Sequence, residues 1–350
     1  MEHRVHAKLC VSVVTDMTFA QAVITGDRLA LARLLTQVEN DSPEARAALI
    51  ELFPHTGRAH LIGVTGAPGT GKSSLVNQLA MHYRKVEGKS VAIVAVDPSS
   101  PFTGGAVLGD RVRMRDLSGD PGVFIRSMAT RGSLGGLART TANIVQVFDA
   151  AGFDLVIIET VGAGQSEVDV ARLAHTTIVV EAPGLGDDIQ AIKAGILEVA
   201  DILVVNKADR PGVENTEKAL KSMLELAHPA ARVFRHHGIN MSVAVPNEAS
   251  PAKSWIPPIQ RTVSTEGRGI VELAESISKH VTHLRQSGDW VVRERARLEV
   301  ELDALIREAL VDRFRENVAP GIYADVFEKV LQRHLSPWEA VKTLMNGRSK

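Results

Sequence analysis

Apolar residues fall into two rhythms along the chain, and the change between them divides it. From about Thr18 to Leu52, the runs TFAQAVITGDRLALARLLTQVEN and SPEARAALIELF place apolar side chains three and four residues apart, the spacing of amphipathic helices. Ser42-Pro43 opens the second of these as N-cap and first helical residue. Between about His55 and Gly288 the rhythm becomes short β-branched runs alternating with helical segments. The runs LIGVT, VAIVAVD, VFIRSM, DLVIIET, TTIVVEA and ILVVNKAD are apolar almost throughout, as strands covered on both faces must be. Such alternation predicts an α/β fold with a mostly parallel sheet. From Asp289 onward the pattern returns to helix: Leu298, Leu302, Leu305, Ala309 and Val311 share roughly one side, Pro320-Gly321 interrupts, and Val326, Phe327, Val330 and Leu331 resume it. The organisation expected is a helical extension over 1–54, an α/β domain over 55–288 and a helical arm over 289–350.

One inter-element turn carries chemistry. Gly63–Leu79 reads GVTGAPGTGKSSLVNQL, a strand, a glycine-rich turn and a helix. Within it Gly66-Ala67-Pro68-Gly69-Thr70-Gly71-Lys72-Ser73 matches G-x-x-x-x-G-K-[ST], and Ser74 follows. Glycines let consecutive backbone N–H groups converge on phosphate oxygens, and the helix that starts at Lys72 adds the positive end of its dipole. Lys72 is expected to reach the β- and γ-phosphates, and the Ser73 hydroxyl to bind Mg²⁺. A second motif selects the base. Asn206-Lys207-Ala208-Asp209 ends the run ILVVNKAD. A carboxylate at Asp209 can accept two hydrogen bonds from guanine, from N1–H and the exocyclic amine, where adenine offers neither. Lys207 can lay its aliphatic stem over the ring. Together the motifs predict a GTP site.

Hydrolysis adds acidic and switch positions. Asp97 ends VAIVAVD, Asp110 follows in GGAVLGDR, and Glu159 ends DLVIIE ahead of Thr160-Val161-Gly162. Carboxylates at strand ends beside the phosphate loop are where a Mg²⁺ shell is held, so Asp97, Asp110 and Glu159 are candidates for metal binding and catalysis. Gly162 is positioned to offer its N–H to the γ-phosphate, and Gln165 lies just beyond, ahead of Glu167 and Asp169. With no glutamine directly after Gly162, slow intrinsic hydrolysis is expected, and no catalytic base is assignable.

The longer runs VDPSSPFTGGAVLGDRVRM, SMATRGSLGGLA, IIETVGAGQSEVDV and PGLGDDIQAIKAGILEVADILVVNKAD resemble the MeaB/MMAA family, formerly labelled ArgK or LAO/AO transport ATPases. The resemblance extends over nearly the whole chain. It implies a P-loop GTPase of the dimeric SIMIBI class, binding GTP/GDP and Mg²⁺. It also implies a chaperone for adenosylcobalamin-dependent acyl-CoA mutases, chiefly methylmalonyl-CoA mutase, with GTP turnover gating cofactor loading and protecting the mutase. By the same resemblance Gly162 to Asp169 is a switch that partner binding rearranges, Gly184 to Gln190 a further mobile loop, and the helical arm a homodimer contact. The base-contacting loop of the family aligns with Val263-Ser264-Thr265, which makes Ser264 a candidate contact.

Composition narrows the partners. A net charge of -1 over 350 residues argues against a strongly basic nucleic-acid binder. One cysteine, Cys10, excludes an internal disulfide framework, and no apolar run is long enough to span a membrane. The expectation is a cytoplasmic protein with neither nucleic acid nor membrane as partner. His236-His237, and His280 with His283, raise the alternative of a GTP-dependent metallochaperone, though no cysteine or acidic cluster accompanies them. An ATP-dependent transport-protein kinase is the other alternative, against which Asp209 argues. Trp255 is expected to pack a loop, and Trp290 to pack the start of the terminal helix on the α/β domain.

Overall fold

In the computed structural model the described residues are 17–98, 114–117, 119–130, 136–160, 166–184, 199–227, 233–236, 239–242 and 255–346. They form two compact units, Met1–Val291 and Val292–Lys350.

The first unit opens with α1 (Phe19–Ile24), α2 (Arg28–Glu39) and α3 (Pro43–Leu52). Each start is capped by a side-chain oxygen: Thr18 in a capping box, Asp27 accepting from the N–H groups of Leu29 and Ala30, and Ser42 accepting from Ala45 N–H ahead of Pro43. Seven strands then build one parallel sheet: β1 (His60–Thr65), β2 (Val91–Pro98), β3 (Val123–Thr130), β4 (Leu155–Thr160), β5 (Thr176–Glu181), β6 (Ile202–Val205) and β9 (Ile259–Arg261), in the order β3-β2-β4-β1-β5-β6-β9. Separately, β7 (Val233–His236) and β8 (Ile239–Ser242) pair antiparallel.

Because side chains alternate across a strand, the sheet feeds two apolar layers. One contains Ile62 and Val64 of β1, Ile93 of β2 and Ile157 of β4, covered by α4 (Lys72–Lys85) and α8 (Ile270–Ser287). The opposite layer contains Leu61, Val94, Val156 and Ile158, covered by α5 (Gly136–Ala150) and α6 (Ser166–Leu173). Farther along that side α7 (Val213–Ala227) packs on β6. Leu34, Leu35 and Leu52 of the N-terminal helices belong to the α5 layer, so this segment shares a core with the sheet rather than forming a unit of its own. Polar ties reinforce it: Arg126 of β3 makes a paired contact to Glu39 at 2.6 and 2.7 Å, and Arg139 of α5 reaches Asp41 at 3.0 Å.

The second unit comprises most of α9 (Asp289–Asn317) with α10 (Pro320–Leu331) and α11 (Pro337–Asn346). No residue of α9 is buried, and Leu302, Leu305, Ile306, Leu310 and Val311 are exposed. Ile322, Tyr323, Phe327 and Leu331 of α10 are also exposed, as are Trp338, Val341 and Met345 of α11.

Candidate functional site

The strand order reverses at β1, which pairs with β4 on one side and β5 on the other. Chain connections diverge there and leave a crevice at the carboxyl ends of the strands. The phosphate-loop motif lies at this point, between the end of β1 and the first residue of α4.

Sequence dictates the loop's path through two glycines. Gly66 has φ 136°, and a Cβ there would lie 2.1 Å from the Val180 carbonyl oxygen of β5. Gly71 caps α4 with φ 94°, and a Cβ would lie 2.5 Å from the Asn206 side-chain nitrogen. Neither position admits another residue without displacing its neighbour. Lys72 is 6% exposed, and its Nζ donates to the carbonyls of Gly66 at 2.8 Å and Ala67 at 3.0 Å. A buried ammonium needs such partners. Thr70 Oγ1 also donates to the Ala67 carbonyl, at 2.9 Å. Pro68 lies in the same loop, directly ahead of Gly69, whose φ is 80°, and Ser74 lies in the first turn of α4.

Ser73 Oγ donates to Glu159 Oε1 at 2.6 Å, with both residues buried. Glu159 sits in β4 opposite Val64 of β1, so the sheet register alone carries its carboxylate to the mouth of the loop. Beside it Thr160 and Thr65 meet at 3.2 Å through their hydroxyls. Asp97 lies near the end of β2, its backbone in register with Ala129; its side chain falls outside the described residues. Asp110, Gly162 and Gln165 also lie outside them.

The Asn206–Asp209 motif is brought to the loop from β6. Asn206 Nδ2 donates to the Thr70 carbonyl at 2.8 Å. Its Oδ1 accepts from Thr262 Oγ1 at 3.0 Å, Ser264 Oγ at 2.8 Å and Ser264 N–H at 3.2 Å. Asn206 is therefore a clamp between the phosphate loop and the segment after β9, and Ser264 is one of the groups that hold it. Lys207 adopts φ 56°, uncommon for a non-glycine residue, and its Nζ donates to the Gly69 carbonyl at 2.6 Å. The Ala208 N–H bonds to the Thr262 carbonyl at 3.0 Å, which leaves Asp209 exposed on the following turn. Thr262, Thr65 and Thr160 were not singled out from sequence. Threonines at strand ends carry no spacing that marks them, and only pairing of the strands brings them together.

Removing the clamp has a definite consequence. Asn206→Ala leaves the Thr70 carbonyl and the Thr262 and Ser264 hydroxyls buried without this partner, a cost of roughly 1–3 kcal/mol. A lower thermal midpoint is expected without nucleotide, together with weaker GDP binding; unchanged values in calorimetry would show that the clamp does not hold the loop.

Trp255 packs as expected of a loop anchor: its Nε1 donates to the Asp201 carbonyl at 2.8 Å and its ring lies 4.8 Å from that of His280. Trp290 stacks on His175 at 3.9 Å with Arg285 over it at 5.1 Å, contacts that lie within the first unit. Among the described residues no group of three or more His, Cys, Asp or Glu is placed to hold a metal ion, and no helix is long and apolar enough to cross a membrane.

Comparison with known proteins agrees with this geometry. The chain is 44% identical over 320 residues to a putative GTPase of Pyrococcus horikoshii, covering 91% of this chain and 94% of the relative. It is 30% identical over 340 residues to the mitochondrial methylmalonic aciduria type A homolog of Caenorhabditis elegans, covering 93% of this chain and 81% of the relative. A crystal structure of an LAO/AO transport system kinase superposes with TM-score 0.64 at 27% identity, covering 96% of this chain and 99% of that one. The fold is that of a P-loop GTPase of the SIMIBI class. The family model described as "Methylmalonyl Co-A mutase-associated GTPase MeaB" matches residues 31–319, and with the phosphate loop, Glu159 and the Asn206–Asp209 turn assembled at the carboxyl ends of the strands, the chain belongs to the MeaB family of GTPases that bind GTP and GDP.

Proposed function

We propose that GTP turnover by this protein gates cofactor loading into, and protects, an adenosylcobalamin-dependent acyl-CoA mutase, with methylmalonyl-CoA mutase as the client. The match of residues 31–319 to a mutase-associated GTPase family carries this reading. Likeness to a methylmalonic aciduria type A homolog over 93% of the chain points the same way.

In this reading each site residue has a distinct role. The backbone N–H groups between Gly66 and Ser74, Pro68 excepted, cradle the phosphates. Lys72 exchanges the Gly66 and Ala67 carbonyls for the β- and γ-phosphate oxygens, a charge-assisted contact stronger than the one it leaves. Ser73 and Glu159 present a hydroxyl and a carboxylate 2.6 Å apart, an all-oxygen pair suited to a hard divalent cation. Ser73 and Glu159 would hold Mg²⁺ there, with Asp97 and Asp110 completing the acidic set, and the ion would supply neutralisation of charge developing on the phosphate oxygens. Asp209 reads the guanine edge, Lys207 covers the ring, and Asn206 and Ser264 fix both relative to the loop. Gly162 and Gln165 belong to the switch that responds to the γ-phosphate and to the partner, the Gly184 to Gln190 loop to a second. Hydrolysis is slow in the free protein and rises with the client bound.

The exposed apolar residues of α9 and α10 form a homodimer contact with a second copy. Sedimentation should give twice the chain mass, and Leu310→Glu with Phe327→Glu should return it to a monomer; a monomeric wild type overturns this contact.

The experiment that tests the reading measures GTP turnover alone and with purified methylmalonyl-CoA mutase, with ATP as control. Stimulation several-fold or more by the mutase, with GTP preferred, supports it. Turnover indifferent to the mutase removes the client. Preference for ATP with phosphate passed to a protein favours the transport-kinase alternative, and turnover dependent on nickel or zinc favours the metallochaperone.

A further inference from the structure

At the amino ends of the strands lies a cavity of about 500 Å³, whose lining includes the apolar Phe153, Leu155, Ile277 and Val281 and the cationic Arg58, Lys89 and Arg285. β1 is six residues long, so this cavity lies roughly 20 Å from the phosphate loop, at the opposite end of the sheet. We propose that it is a second ligand site, for a small organic anion carrying a phosphate or carboxylate head on an apolar body.

The rim is built, and its positive charge is left over. Asp149 accepts the N–H groups of Gly57, Arg58 and Ala59 at 2.6, 3.1 and 2.9 Å, which fixes the backbone that carries Arg58. Asp154 accepts Ser90 N–H at 2.7 Å and Ser90 Oγ at 2.8 Å, tying the approach to β2 to that of β4. Lys89 N–H donates to the Tyr83 carbonyl at 3.0 Å. Of the two carboxylates on the cavity wall, Asp154 is thus engaged by Ser90, and Glu87 pairs with Lys89 at 2.6 Å. Among the described residues no carboxylate forms an ion pair with Arg58 or Arg285. Arg285 instead lies over the Trp290 ring.

His60, which also lines the cavity, feels the same surplus. Burial first, then His175, His280, Lys89 and Arg285, hold its imidazole well below the usual histidine range. It meets Thr176 Oγ1 at 2.8 Å. A pre-formed rim lowers the ordering cost of binding, and the volume lies within the range of small-molecule sites. Two cations without carboxylate partners select an anion. The apolar part of the wall, where Val281 is half-buried and not fully covered, selects an anion with an apolar body over inorganic phosphate.

The test uses the full chain saturated with GDP and Mg²⁺, so that the phosphate loop is filled. Naphthyl phosphate, naphthoate and the neutral naphthalenemethanol are titrated at up to millimolar concentration, with binding read by saturation-transfer NMR. The two anions are expected to bind ~10-fold or more tightly than the alcohol, and the tighter of them identifies the head group. Arg58→Ser with Lys89→Ser should weaken anion binding ~10-fold or more with GDP affinity unchanged, whereas Arg58→Lys with Lys89→Arg should retain it. Arg285 is left intact because it also packs Trp290. Equal binding of the alcohol, an unaffected serine double variant, or no binding of either anion overturns the site.

Discussion

Lys72→Ala lowers GTP turnover by ~10²–10³-fold or more, the loss seen when one fixed donor to a developing negative charge is removed. The expected size follows from where the ammonium sits. At 6% exposed, between the Gly66 and Ala67 carbonyls, it is held at the mouth of the loop before any ligand arrives and loses little on binding. Alanine removes the charge but leaves the glycine-determined backbone path, so circular dichroism and the thermal midpoint should change little. Single-turnover kinetics with radiolabelled GTP is the measurement. A rate within ~10-fold of wild type would remove the phosphate loop from the reaction, since no single donor of this kind is worth so little.

Asp209→Asn exchanges the preferred base. Guanine gives two hydrogens to one carboxylate; an amide offers one acceptor and one donor, which pairs with the 2-oxo group of xanthine. A site built to bond a substrate group rejects the unmatched analogue by ~10⁴-fold at the upper end, so GTP affinity should fall by orders of magnitude while xanthosine triphosphate gains. The fold should not notice. Asp209 is exposed, and among the described residues no hydrogen bond or ion pair engages its carboxylate; the turn is held by the Ala208 N–H on the Thr262 carbonyl. Competition binding of the two triphosphates to both proteins decides it. Retained guanine preference would assign base selection elsewhere.

The elements most readable in the chain were those with the strongest local signal. LIGVT, VAIVAVD, VFIRSM, DLVIIET, TTIVVEA and ILVV all became strands of the parallel sheet, because a strand covered on both faces must be apolar at nearly every position. Ser42-Pro43 opened its helix for a local reason as well. The seventh strand, Ile259–Arg261, was not anticipated. Three residues with one apolar position carry no periodicity, and the segment is extended because β6 offers an open edge to pair with. The antiparallel pair Val233–His236 and Ile239–Ser242 was equally silent.

The site divides along the same line. Glycines whose Cβ atoms would strike Val180 or Asn206, a lysine and serine opening a helix, and a carboxylate two residues past Lys207 are short-range patterns, legible because phosphate and guanine each demand a few residues at fixed spacing. Nothing in the chain near Asn206 says that its amide joins Thr70 to Thr262 and Ser264, residues 136, 56 and 58 positions away. Nor does it say that Glu159 meets Ser73 across 86 residues. Those contacts exist because β4 and β6 lie in register beside β1 and β5, and strand order is a property of the packed sheet. The rim cations Arg58, Lys89 and Arg285 are isolated charges along the chain for the same reason; they gather only where loops from three strand ends and one helix are folded together.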